Sequence, residues 1–188
     1  MNITDNNNNE YEIKMDGKFR QFKGGGVRYT KTGKGRFDLL PSDVITHVID
    51  HISEYTDFIR GIEPLERKEI LREVCYKRAI NGIDPSIVML DIACIEYIDA
   101  DMEVTRETVF IAFIKILRRL AVHFEKGADK YGENNWKKGI PTNSFHDSGL
   151  RHLAQYLSGE TDEPHDISAI WNFCCLKHLI DQPLNSSE

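Results

Sequence analysis

Within "HFEKGADKYGENNWKKGIP", residues 123–141, two acids stand four residues apart, Glu125 and Asp129. On a helix that spacing puts both carboxylates on one face about one turn apart, where they repel unless a cation or a basic group lies between them. Gly127 and Ala128 keep side-chain bulk out of the gap, so a ligand could approach the backbone there. "DSGLRHL" then supplies Asp147, Arg151 and His152, and "HDISAIWN" supplies His165, Asp166 and Asn172. Inward carboxylates and histidines on facing helices are how bundle interiors build metal sites. Each group also has an ordinary role: Asp147 and Arg151 have the spacing of a helix ion pair, and His165 and Asn172 those of satisfied core polar groups.

Two metal chemistries compete for these residues. His123, the dipeptide His146-Asp147 and Asp166 imitate the ligand order of HD phosphohydrolases, but such dipeptides arise by chance and the last acid follows too closely. The favoured alternative is carboxylate-rich binding of Mg2+, whose hard oxygen ligands also include substrate phosphates.

A second chemistry-bearing stretch lies near the start. Residues 14–36 carry Lys14, Lys18, Arg20, Lys23, Arg28, Lys31, Lys34 and Arg36 against Asp16 alone, a local +7 in a chain of net charge -6. Glycines at 24–26, 33 and 35 let backbone amides turn toward an anion, so the strip reads as a flexible phosphate clamp or a solvated basic tail. The acidic whole gives no general attraction to nucleic acid, which makes a nucleic-acid partner unlikely.

The elements that must position these groups are helices. The 188 residues can bury one substantial core. No apolar run is long enough to span a bilayer and no secretory leader is evident, so a cytoplasmic, membrane-free protein is expected. Four cysteines without a CxxC pair read as reduced core thiols. The first ten residues lack apolar content, and 1–23 is expected to be a flexible segment ahead of one domain over 24–188. From Ser42 on, helical spacing dominates, and the chain reads as all-α. Ser42 is placed as the cap of a helix striped by Val44, Ile45, Val48, Ile49, Ile52, Tyr55 and Ile59, and Pro64 in the first turn of the next. Asp84-Pro85 opens a strongly apolar helix expected mid-bundle. Thr105 opens a long helix with Phe110, Phe113, Ile114, Leu117, Leu120, Ala121 and Phe124 inward. A further helix runs from about Asn143 to Ser158, and a last one follows an Asp162 cap with Pro164 in its first turn.

The blocks "GKGRFDLLP" (33–41), "HFEKGADKYGENNWKKGIP" (123–141), "DSGLRHL" (147–153), "GETD" (159–162) and "HDISAIWN" (165–172) together resemble a phage-associated family, the N-terminal domain of dATP/dGTP diphosphohydrolases, related to MazG-like all-α nucleotide pyrophosphohydrolases. Relative to that family, residues 42–115 form a helical insertion, and the EExxE and ExxD motifs of MazG-like enzymes are not spelled out.

The resemblance implies a MazG-like helical bundle that hydrolyses dGTP or dATP to the monophosphate and pyrophosphate with Mg2+ or Mn2+. The residues of this chain can supply the parts for that reaction: Glu125 and Asp129 with Asp147 or Asp166 as metal ligands inferred without a matching motif, and Arg28, Lys34, Arg36, Lys130 and Arg151 as phosphate contacts. His152 and His165 are assigned to proton transfer or support of the metal ligands. Trp136, Tyr131 or Asn135 is assigned to the base, and Asn172 to the substrate. Oligomeric relatives imply a homo-oligomer, dimer or tetramer, in the cytoplasm of a bacterial host. Two alternatives stand beside this one: a protein that binds or sequesters a nucleotide without turning it over, and an HD-type phosphohydrolase.

Overall fold

Helix starts in this chain are set by short-range hydrogen bonds that can be read off the side chains. Asp84 caps one helix by accepting from the Ser86 N–H at 2.9 Å and its hydroxyl at 2.6 Å, with Pro85 in the first position. Thr105 caps another in a reciprocal box with Thr108. In this computed structural model, residues 2–4, 10–13, 19–22, 26–29 and 33–182 are described, the strands by backbone alone. Two compact units result, Met1–Lys34 and Gly35–Glu188.

Gly35–Glu188 is all-α among its described residues. A short 3₁₀ turn, Phe37–Leu39, leads into α1 (Ser42–Arg60), α2 (Arg67–Ile80), α3 (Pro85–Tyr97), α4 (Arg106–Tyr131), α5 (Thr142–Ser158) and α6 (His165–Asp181), with a second 3₁₀ turn at Asn135–Lys137. As its all-round apolar sequence predicts, α3 is buried from Val88 to Ile95 and packs against α1, α2, α4 and α6. Helix α6 is buried almost as completely, from His165 to Ile170 and again from Asn172 to Lys177. Its closest neighbour is α5, because Gly149 brings no side chain: a Cβ there would lie 3.0 Å from Phe173 Cε1. All four cysteines are free and buried. No helix among the described residues is long and apolar enough to cross a membrane.

One deep polar knot interrupts the core. Tyr55 O–H and Arg78 Nη1–H both donate to Asp91 Oδ1, each at 2.6 Å, and burial pushes this carboxyl up to about 6 against their pull.

Several expectations are corrected. The chain is not helical throughout: β1 (Asn2–Thr4), β2 (Glu10–Ile13), β3 (Phe19–Phe22) and β4 (Val27–Tyr29) pair antiparallel in sequence order, with Tyr11 opposite Phe22 and Phe19 opposite Tyr29. "EYEI" and "VRY" alternate large apolar with polar residues, a period-two signal that the count of cations and asparagines hid, whereas "FRQF" carries no such alternation. Ser42 is the first helical residue and makes no cap hydrogen bond; Pro64 lies in the turn before α2; and Pro164 sits at the cap position of α6 in place of Asp162. Phe110 and Ile114 are 39% and 43% exposed, because the inward stripe of α4 runs through Val109, Phe113, Ile116 and Leu120 instead.

Asp84 ties this fold to pH. Burial disfavours its charge, but Ser86, through hydroxyl and N–H, and Lys177 at 3.1 Å outweigh it and hold the carboxyl at about 2. A depressed carboxyl stabilises the fold above its unfolded value near 3.8 and loses that contribution as pH falls toward 2. Asp84→Ala should cost about 1–2 kcal/mol at pH 7 by urea denaturation, with the difference from the parent chain shrinking below pH 4.

Candidate functional site

The residues singled out from sequence do not all meet. Glu125 is buried, but its Oε2 accepts the Gly35 N–H at 2.9 Å. Next to it, the Arg36 N–H donates to the Ala121 carbonyl at 3.0 Å, and Arg36 pairs with Asp38 and Glu133, each at 2.7 Å. Residues 35–36 therefore lie as a strap along α4. Gly35 is the residue this needs: its φ is 84°, and a Cβ would fall 2.9 Å from that of Ala121. Asp129, Lys130, Asp147 and Arg151 are exposed, and no ion pair among the described residues joins Asp147 to Arg151. Asp166 is buried and held by Arg119, whose Nη2 and Nη1 stand 3.0 and 2.5 Å from its two oxygens. Among the described residues, Glu125, Asp129, Asp147 and Asp166 form no group able to share one ion.

Of the remaining candidates, Lys34 is exposed, and the side chain of Arg28 lies outside the described residues. Asn172 is buried and donates to the Ser168 carbonyl of its own helix at 2.8 Å. His146 Nε2 contacts the Ala79 carbonyl at 3.1 Å, so the HD ligand order is not assembled around it.

What the fold brings together is a different set. His152 on α5 and His165 at the start of α6 face each other with Nδ1 atoms 3.1 Å apart. Glu163 Oε1 lies 3.2 Å from the first and 3.3 Å from the second, closing a nearly equilateral triangle. Three donors at such spacing fit one small cation, and two imidazoles with one carboxylate are a transition-metal donor set. The other face of His165 is already committed: its Nε2–H donates to Asp162 Oδ1 at 2.8 Å, which leaves Nδ1 bare. His165 is 2% exposed, whereas about half of the Glu163 side chain faces solvent, so the triangle is anchored at its back and open at its front. Glu160, Asp162 and His165 form a second possible group, built mainly from exposed loop acids.

Electrostatics keep the His152 imidazole ready to bind. Burial, followed by Arg151, lowers His152; burial, followed by Lys126 and His152, lowers His123 on α4, while Glu163 and Asp166 pull back on it. Neutral imidazole is the form that ligates a metal. Sequence reasoning included both histidines of the triangle but missed Glu163, one of four acids crowded over 160–166, and Arg119, an ordinary cation on an amphipathic helix. The available signal was Glu-x-His, which lets a loop carboxylate fold back onto the first residue of a helix.

Beside this cluster lies a cavity of about 250 Å3, walled by Phe124, Trp136 and Trp171, with Tyr131, Asn134 and Asn135 also lining it. Three residues assigned to base recognition thus share one cavity. The Trp171 ring stands 6.0 Å from that of His123, which links the cavity wall to the polar cluster.

Residues 99–187 match the family model of the dATP/dGTP diphosphohydrolase N-terminal domain. The match covers a little under half of the chain, including all of α4, α5 and α6 and hence the triangle and most of the cavity wall. No curated protein sequence and no solved structure matches the chain.

Glu125 and Asp129 should behave differently on replacement. Glu125→Ala strands the Gly35 N–H and should destabilise the protein by about 1–3 kcal/mol in urea denaturation, while Asp129→Ala should stay within about 0.5 kcal/mol.

Proposed function

We propose that the chain hydrolyses a purine deoxynucleoside triphosphate to the monophosphate and pyrophosphate, using a divalent cation held by His152, Glu163 and His165. The observation that carries this reading is the triangle of their donor atoms, 3.1–3.3 Å on each side, inside the segment that matches a diphosphohydrolase family. When bound, a divalent cation supplies an activated water and offsets charge on the departing pyrophosphate. The protein's own groups do the rest. Asp162 holds the proton on His165 Nε2 and so fixes which nitrogen is offered. Arg119 and Asp166 neutralise each other beside the cluster, so that no unpaired carboxylate repels the incoming phosphates. Exposed Lys126, Lys130 and Arg151, on α4 and α5, gather the triphosphate. Imidazole donors favour Mn2+ over Mg2+, since Mg2+ prefers oxygen.

This assignment moves the metal away from Glu125 and Asp129. It keeps the two histidines, but as ligands and not as proton carriers. The apolar side chains Phe110, Ile111 and Ile114, exposed along α4, offer a face through which copies of the chain could associate as a dimer or tetramer.

Incubation of the purified chain with dATP or dGTP and Mn2+ should yield the monophosphate and pyrophosphate on chromatography, and chelation should stop it. His165→Ala should lower turnover by more than about 100-fold and Asp162→Asn by about tenfold. Nucleotide returned intact would make the chain a sequestering protein, and turnover that survives chelation would remove the cation from the mechanism.

A further inference from the structure

The cavity beside the cluster has a composition that points to one kind of occupant. At about 250 Å3 it lies just below the usual range of ligand pockets, roughly 300–1,000 Å3, so it holds a single ring system and not a whole nucleotide. Its walls are aromatic, its polar groups include two asparagine amides, and none of the described residues lining it carries a charge. Trp136 is 5% exposed, yet its indole Nε1–H has no hydrogen-bond partner among the described residues. A buried donor in a folded protein almost always has an acceptor, so this one lacks something that a ligand would provide. Asn134 adopts φ 54°, a left-handed conformation uncommon for a side-chain-bearing residue and concentrated at functional sites. On α4, His123 lies one turn before Gly127 of the cavity wall, and its ring stands 6.0 Å from that of Trp171.

We propose that this cavity is the base subsite and that it selects adenine over guanine. Adenine presents a donor amine beside a ring acceptor, a pair that one asparagine amide meets with its carbonyl and its NH2 together. Guanine is best met by an arginine or lysine at its two acceptors, and neither lines the cavity. The remaining adenine ring nitrogens supply the acceptor missing at Trp136 Nε1, and the ring stacks on the aromatic wall. The proposal rests on the hydrolase reading only for the phosphate end of the ligand.

The chain has two tryptophans and both line this cavity, so its intrinsic tryptophan fluorescence reports on the site alone. In chelator, without metal, dAMP should quench that fluorescence saturably and bind about tenfold more tightly than dGMP. Asn135→Ala, and Asn134→Gly, which keeps the left-handed backbone, are the variants to compare, each checked by thermal melting. At least one should abolish the preference. Equal binding of dAMP and dGMP, a preference unchanged in both folded variants, or no quenching by either nucleotide overturns the base subsite. A chain that binds dAMP selectively but returns dATP intact in Mn2+ keeps the subsite and loses the hydrolase reading. Hydrolysis of dATP and dGTP alike without selective dAMP binding does the reverse.

Discussion

The approach of α5 to α6 is the constraint on which the site depends. His152 and His165 lie on different helices, and two imidazole nitrogens reach 3.1 Å only if those helices pack almost backbone to side chain. Gly149, one turn before His152, allows this by presenting nothing to Phe173; any Cβ there would meet the ring at 3.0 Å. Even a methyl group at this crossing would push the helices apart or force the ring to move. Aiming two nitrogens and a carboxylate oxygen at one point is unfavourable unless something positive, a proton or a metal ion, sits among them. Close packing of apolar residues thus holds polar atoms where they would not otherwise collect.

The rest of the helical unit fixes that crossing in place. The inner face of α6 lies against the fully buried α3, and α3 is pinned at its start by Asp84, which also accepts from Lys177 near the end of α6 at 3.1 Å. Helix α4 carries His123 and Arg119 toward the cluster, and its later turns carry the strap through Glu125 and Ala121. The same helix then lines the aromatic cavity through Phe124, Gly127 and Ala128. Strap contacts and cavity wall are thus consecutive features along α4, while the metal cluster is carried by α5, the loop after it and the start of α6.

Much of this was legible in the chain, and the limits follow from range. Asp84, Thr105 and the apolar run of α3 act within a turn or two, so their consequences can be read locally, and α3 and α4 start where those signals put them. The spacing of Glu125 and Asp129 said that both lie on one side of α4, but not that the first would be covered by a glycine 90 residues upstream while the second stayed in water. Glu163 was passed over because it precedes a helix and belongs to no periodic face. The strands of Met1–Lys34 were hidden because its seven cations dominated the reading of a stretch in which only "EYEI" and "VRY" alternate. Tyr131, Asn135 and Trp136 line one cavity because they lie within six residues of one another, across the end of α4 and the 3₁₀ turn that follows it.

Anomalous diffraction from crystals of the full chain grown with Mn2+ addresses the central claim most directly, because it locates the ion independently of activity. The account predicts one strong peak among His152 Nδ1, His165 Nδ1 and the Glu163 carboxylate. A peak at Glu125 and Asp129, or none at the triangle with Mn2+ in excess, would contradict it.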